Sequence, residues 1–143
     1  MKRMLFFLPA LCLLGVLASC RPPSPHGTML SGADQKAVLA FSEAKIDNLL
    51  EGFNTGDYAV FSKDFNAEML QAMTPDKFVP WQKERESRLG RYLRREVEGM
   101  VARSDGTYTV IYQTSFQFHD DVLMRVVFAA DPPHQISELW FEK

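Results

Sequence analysis

At Gly90 the apolar periodicity of this chain changes from helical to alternating, and that change limits the fold more than any other feature. Ahead of it, Val38, Phe41, Ile46, Leu49, Leu50 and Phe53 recur at the spacing of one helix face. Ser31-Gly32-Ala33-Asp34 reads as a capping box that starts this helix, and Gly56 as its left-handed stop. Asp57 is placed to cap a short helix carrying Tyr58, Phe61 and Phe65, and Asn66 to Met73 reads as a further turn or helix with Met69, Leu70 and Met73 inward. Thr74-Pro75 resembles an N-cap followed by proline at the first helical position. Pro80 opposes a helix begun there, because it removes a ladder bond and clashes with the preceding turn. A tight turn over 74–79 and a regular helix from Pro80 to Leu89 are therefore expected.

Beyond Gly90, turn residues divide the chain into four expected strands, Tyr92 to Arg103, Tyr108 to Phe118, Val122 to Ala130 and Gln135 to Phe141. Ser104-Asp105-Gly106, His119-Asp120-Asp121 and Asp131-Pro132-Pro133-His134 are the turns between them. In the second strand Tyr108, Val110, Tyr112, Thr114, Phe116 and Phe118 share one face, built for a core. Short connections imply an antiparallel meander. Helices first and strands second imply an α+β domain, with N-terminal helices packed on a curved four-stranded antiparallel sheet.

The N-terminus carries a different signal. Met1-Lys2-Arg3 is a positive start, Met4 to Val16 an apolar stretch too short for a comfortable membrane span, and Leu17-Ala18-Ser19 supplies small residues before Cys20. Leu17-Ala18-Ser19-Cys20 resembles the lipobox of bacterial lipoproteins, which implies a diacylglycerol on the Cys20 thiol followed by cleavage. The expected organisation is a signal peptide at 1–19, a lipidated Cys20 with a proline-rich tether at 20–31, and one domain at 32–143. Cys12 falls within the leader, so the mature chain has no disulfide and relies on its apolar core. About 110 residues after Ser31 suffice for one such core. Arg21 is not the Asp that resembles an inner-membrane retention signal. The expected location is the bacterial cell envelope, anchored in the outer membrane and facing the periplasm.

Loss of Lys2 and Arg3 with the leader takes the formal charge from −2 to −4. That argues against a nucleic-acid partner, which attracts a basic stripe. The densest basic stretch, Lys83, Arg85, Arg88, Arg91, Arg94 and Arg95, is interleaved with Glu84, Glu86, Glu96 and Glu98 and reads as a solvated helix face running into a strand. The alternative is a patch for anionic lipid headgroups near the anchor.

Gly56-Asp57-Tyr58, Phe61, Asp64-Phe65, Met69, Phe78, Leu89-Gly90, Tyr108 to Tyr112, Val126-Val127-Phe128, Ile136, Leu139 and Phe141 together resemble the nuclear transport factor 2-like, or cystatin-like, cone. The domain of unknown function 3887 family is the particular match. Such domains have Gly where this chain has Glu138. The resemblance implies a small extracytoplasmic accessory domain and carries no catalytic signature.

An acid/base reading needs a carboxylate or histidine in a dry cavity with a phenol or second acid, the arrangement of ketosteroid isomerase, the worked case in general accounts of pKa tuning. Tyr58, Tyr112 and Glu138 are the candidates. The simpler alternatives are amphipathic core tyrosines and an exposed Glu138 facing Arg125 across the last hairpin. His119-Asp120-Asp121 is explained by its turn. No HExxH or CxxC spacing, GxSxG elbow or phosphate-cradling loop is present, so neither a metal nor a cofactor is expected. Met69, Met73, Met100 and Met124 read as core filler. Three functions remain open. The first is a non-catalytic module binding a small apolar molecule or an envelope protein, with Tyr58, Trp81, Tyr112, Glu138 and Trp140 as contact candidates. The others are a small pocket enzyme and a structural lipoprotein that dimerises through its sheet.

Overall fold

The computed structural model describes residues 27–143. Lipidation of Cys20, the leader and His26 of the tether lie outside them. Four helices precede a meander: α1 (Gly32–Thr55), α2 (Tyr58–Phe61), α3 (Ala67–Ala72) and α4 (Pro75–Leu89). The strands are β1 (Thr28–Met29), β2 (Tyr92–Ala102), β3 (Tyr108–Phe116), β4 (Val122–Phe128) and β5 (Ile136–Glu142), antiparallel in the order β1-β2-β3-β4-β5. The α+β architecture with helices on one face of an antiparallel sheet is as expected, but the sheet has five strands. Thr28 and Met29, expected in the tether, pair with Ala102 and Val101, and the Leu30 N–H donates to the Met100 carbonyl. Two residues show no alternation, so only pairing with the edge of β2 reveals them as a strand.

Local chemistry sets the helix ends. The Gly56 N–H bonds the Gly52 carbonyl, with Gly56 at φ 69°, the left-handed conformation that glycine adopts without a Cβ clash. The Asp57 carboxylate accepts from the Ala59 and Val60 amides at 2.9 and 3.2 Å. Asp57→Ala should cost about 1 kcal/mol, read as a lower urea midpoint at unchanged slope. Ser31 occupies the N-cap of α1 with extended backbone, yet its side chain makes no capping bond, so the capping box is not formed.

Two further expectations are corrected. Helix α4 begins at Pro75 and runs through Pro80, because Phe78, 1 % exposed, is buried against Tyr58, Phe61 and Trp81 and gains more than the helix loses at one proline. Leu70 and Phe118 face outward, Leu70 on the open side of α3 and Phe118 beyond the end of β3. The core spans both layers: Ile46, Leu49, Leu50 and Phe53 of α1 and Phe61, Phe65 and Phe78 meet Met100, Val110, Phe116, Met124, Val126 and Phe128 of the sheet. Met69, Met100 and Met124 are buried within it as filler. Asn54 clamps α1 to β2 by donating to the Tyr92 carbonyl at 3.0 Å and accepting from its amide at 2.8 Å.

Candidate functional site

A charged cluster lies where α1 crosses β2 and β3, built around Arg95, whose side chain is 14 % exposed. Glu43 and Asp47, one turn apart on α1, face Arg95 of β2, whose Nη2 stands 2.8 Å from Glu43 Oε2 and 2.7 Å from Asp47 Oδ1. The Tyr112 hydroxyl of β3 donates to Glu43 Oε1 at 2.9 Å, and the guanidinium lies 5.6 Å from the Tyr112 ring centroid. Burial by itself would ease the proton off Arg95, but its hydrogen bonds to Asp47, Tyr92 and Glu43 outweigh that and hold its pKa above the ordinary value. Burial, reinforced by the charge of Glu43 and its hydrogen bond, pushes the Tyr112 phenol up, so it stays protonated at neutral pH. This is a helix-to-sheet lock with its donors and acceptors paired. A phenol so disfavoured from ionising, already donating to a carboxylate, is poorly suited to proton transfer.

The candidate residues are not brought together. Tyr58 is half-buried and donates its hydroxyl to the Met73 carbonyl at 2.8 Å, tying α2 to the end of α3. Trp81 packs among Phe53, Phe61, Phe78 and Phe141 on the helical side. Tyr112 is wholly buried on the inner face of the sheet.

Glu138 and Trp140 lie on the opposite face. A regular β5 would place Ile136, Glu138 and Trp140 together, but the register shifts between Val127 and Phe128. Phe128 pairs with Ile136 on the inner face, whereas Val127 pairs with Glu138 and Arg125 with Trp140 on the outer one. The extra residue, Ser137, reverses the phase of the strand. Glu138 therefore meets Arg103 at 4.0 Å, and Arg125 pairs with Glu142 at 3.1 Å, not with Glu138.

The basic stretch divides as well. Arg88 pairs with Glu84 at 3.0 Å and Arg94 with Glu96 at 3.0 Å on the surface, as a solvated face should, while Arg95 is drawn into the lock. Arg85 and Arg88 lie near Val122 and Phe141, at the end of the sheet away from Thr28 and Ala102. The patch is thus remote from where the chain enters the fold. His119 and Asp121 at the β3–β4 turn both meet Lys143, and no group of three metal-ligating side chains occurs among the described residues.

The residues that the sequence patterns do not single out are Glu43 and Asp47 of α1, and His134, which reads as a turn residue. The spacing of four between the two acids was visible, but the partner that gives it meaning is 48 residues away from Asp47 and only the fold supplies it.

No family model and no curated protein matches the chain. Among solved structures it is similar to a SnoaL-like protein of unknown function from Burkholderia thailandensis E264, at 13 % identity and a TM-score of 0.42, covering 72 % of this chain and 94 % of that one. So distant a likeness adds nothing to the architecture read from the strands and helices themselves.

Proposed function

We propose that this chain is a lipid-anchored extracytoplasmic protein of the bacterial envelope, of the nuclear transport factor 2-like kind, whose domain is a non-catalytic module contacting an envelope protein through the outer face of its sheet. The observation that carries this reading is Trp140. It is 45 % exposed on the face that no helix covers, between residues held in the Arg125–Glu142 and Arg103–Glu138 ion pairs. Tryptophan with neighbouring arginine is the chemistry of interface anchors. The inner face supports the same reading, because Phe53, Phe61, Phe65, Phe78, Tyr112, Phe116 and Phe128 fill it at under 2 % exposure each. Glu138, the acid that an enzyme reading needs, stands on the other side of the sheet. No helix of the described residues is long and apolar enough to cross a membrane.

Two measurements test the proposal in the native host. Cys20→Ser should release the chain from the membrane fraction or leave it unprocessed, and unchanged fractionation removes the anchor. A photo-crosslinking residue at 140 should capture a second envelope protein, with none captured from position 36 on the exposed side of α1. Capture of another copy of the chain would replace this reading by a dimer, and no capture would remove the interface.

A further inference from the structure

A cavity of about 410 Å³ remains between the first turns of α1 and the end of the sheet where the chain enters the fold. Its walls are largely apolar, from Leu30, Val38, Phe41, Ala102 and Tyr108, with His134 of the β4–β5 connection as a polar side. The volume is that of a small-molecule site. The filled core and the lock around Arg95 make no use of it.

His134 is held in an unusual way. It has φ 54°, in the left-handed region that a residue with a Cβ rarely enters. Its ring stacks on Phe41, with centroids 4.1 Å apart and planes 26° from parallel, and meets Tyr108 edge-on at 5.8 Å. Its Nδ1 lies 2.9 Å from the Ala129 carbonyl oxygen. A carbonyl only accepts, so Nδ1 carries the proton of the neutral ring and Nε2 carries the lone pair. No hydrogen bond reaches Nε2 among the described residues. Backbone strain that fixes a ring and leaves one acceptor unused is the pattern from which function can be argued.

The polar groups also say what the occupant carries. Asp34, at the rim, and the Tyr108 hydroxyl are the other polar groups of the cavity, and no cationic side chain lines it among the described residues. Nε2 and a carboxylate both call for donors and repel an acid. We infer that this cavity binds a compact, uncharged, largely apolar molecule with one hydrogen-bond donor, its body against Phe41 and Tyr108 and its donor on Nε2 of His134. Where the molecule comes from rests on the lipid anchoring proposed above. Six residues separate Cys20 from Gly27, and the chain enters the sheet at Thr28 beside this cavity, so this end of the sheet is the one nearest the proposed anchor and its ligand comes from the bilayer surface.

The test uses the full chain mixed with lipid nanodiscs, empty discs as the blank, and three fluorinated probes followed by ¹⁹F NMR. Co-migration with the discs reads the anchor. If the chain does not co-migrate, the anchor fails and the free chain is titrated instead, so the two failures are separable. 4-Fluorophenol should bind saturably and at least tenfold more tightly than 4-fluoroanisole, which lacks the donor, and 4-fluorobenzoate should not bind. His134→Phe keeps a ring on Phe41 and should bring phenol and anisole within twofold of each other. Ala37→Trp, at an exposed helix position lining the cavity, should abolish binding while leaving the melting transition in place. Equal binding of phenol and anisole to the unaltered chain overturns the inference. So does preference for the benzoate, absence of saturable binding, or indifference to Ala37→Trp.

Discussion

Gly52→Ala is expected to destabilise the domain by about 3 kcal/mol, although alanine is the better helix former by about 1 kcal/mol. Gly52 lies inside α1, and a Cβ there would stand 2.2 Å from the Phe61 nitrogen and 2.4 Å from its Cα. Those are backbone atoms of α2, which cannot yield as a side chain does. The Asp57 cap fixes one end of α2, and Phe61, packed against Phe65, Phe78 and Trp81, fixes the other. The Gly52 carbonyl also accepts from the Asp57 amide at 3.0 Å, so moving α2 away would break the cap that ends α1. Overpacking against backbone therefore outweighs the propensity gain. Gly56→Ala is the control, losing about 1 kcal/mol through its left-handed φ with nothing within 4 Å to strike. Urea denaturation of the two variants reads the difference. A neutral or stabilising Gly52→Ala would mean that α2 does not pack on α1 as described.

The lock between α1 and the sheet carries the second large effect. Arg95→Ala should cost about 2 kcal/mol, from the loss of two charge-assisted hydrogen bonds, of the guanidinium over the Tyr112 ring and of the half-buried stem. The cost stays below that of breaking a fully buried pair because the partners can resolvate, with the Glu43 and Asp47 side chains 44 % and 67 % exposed against 14 % for Arg95. Arg95→Met, which retains the apolar stem, should recover part of the loss. The arginine charge also lowers the Tyr112 pKa, so its removal should move the phenol further up, away from its ordinary range. Absorbance titration of the tyrosines reads this directly, since a role in packing alone would leave the phenol where it is. A downward move would place Tyr112 in a different environment from the one described.

How far the fold was legible follows from the range of each signal. The end of α1 at Gly56, the start of α2 at Asp57 and the turn at 104–106 depend on residues within a few positions, and they lie where those residues imply. The reversal after β3 comes earlier than the expected 119–121, at Gln117 and Phe118, where the backbones of Phe116 and His119 bond each other. Failures occurred where two short-range preferences competed or a partner was distant. At Pro80 the local rule forbade a helix, and burial of Phe78 prevailed. At Thr28 and Met29 the chain has no pattern of its own and becomes a strand only because β2 offers an unpaired edge. In β5 one extra residue, Ser137, carries Glu138 to the opposite face from Ile136, a shift that alternation alone cannot show because it depends on the register with β4.

The candidate site was the least legible part. Tyr112 was recognisable as an inward residue, but its partner Glu43 lies 69 positions earlier and nothing in either segment names the other. His134 gains its meaning from Phe41 and Ala129, which the β4–β5 connection brings to one place. The sequence by itself determined the α+β class and the order of the helices and of the four strands β2 to β5, because periodicity and turn chemistry act over a few residues. Only the tertiary structure decided which face each residue of β5 takes, which charges are paired and where a cavity remains, because those outcomes depend on pairings between segments that are far apart in the chain.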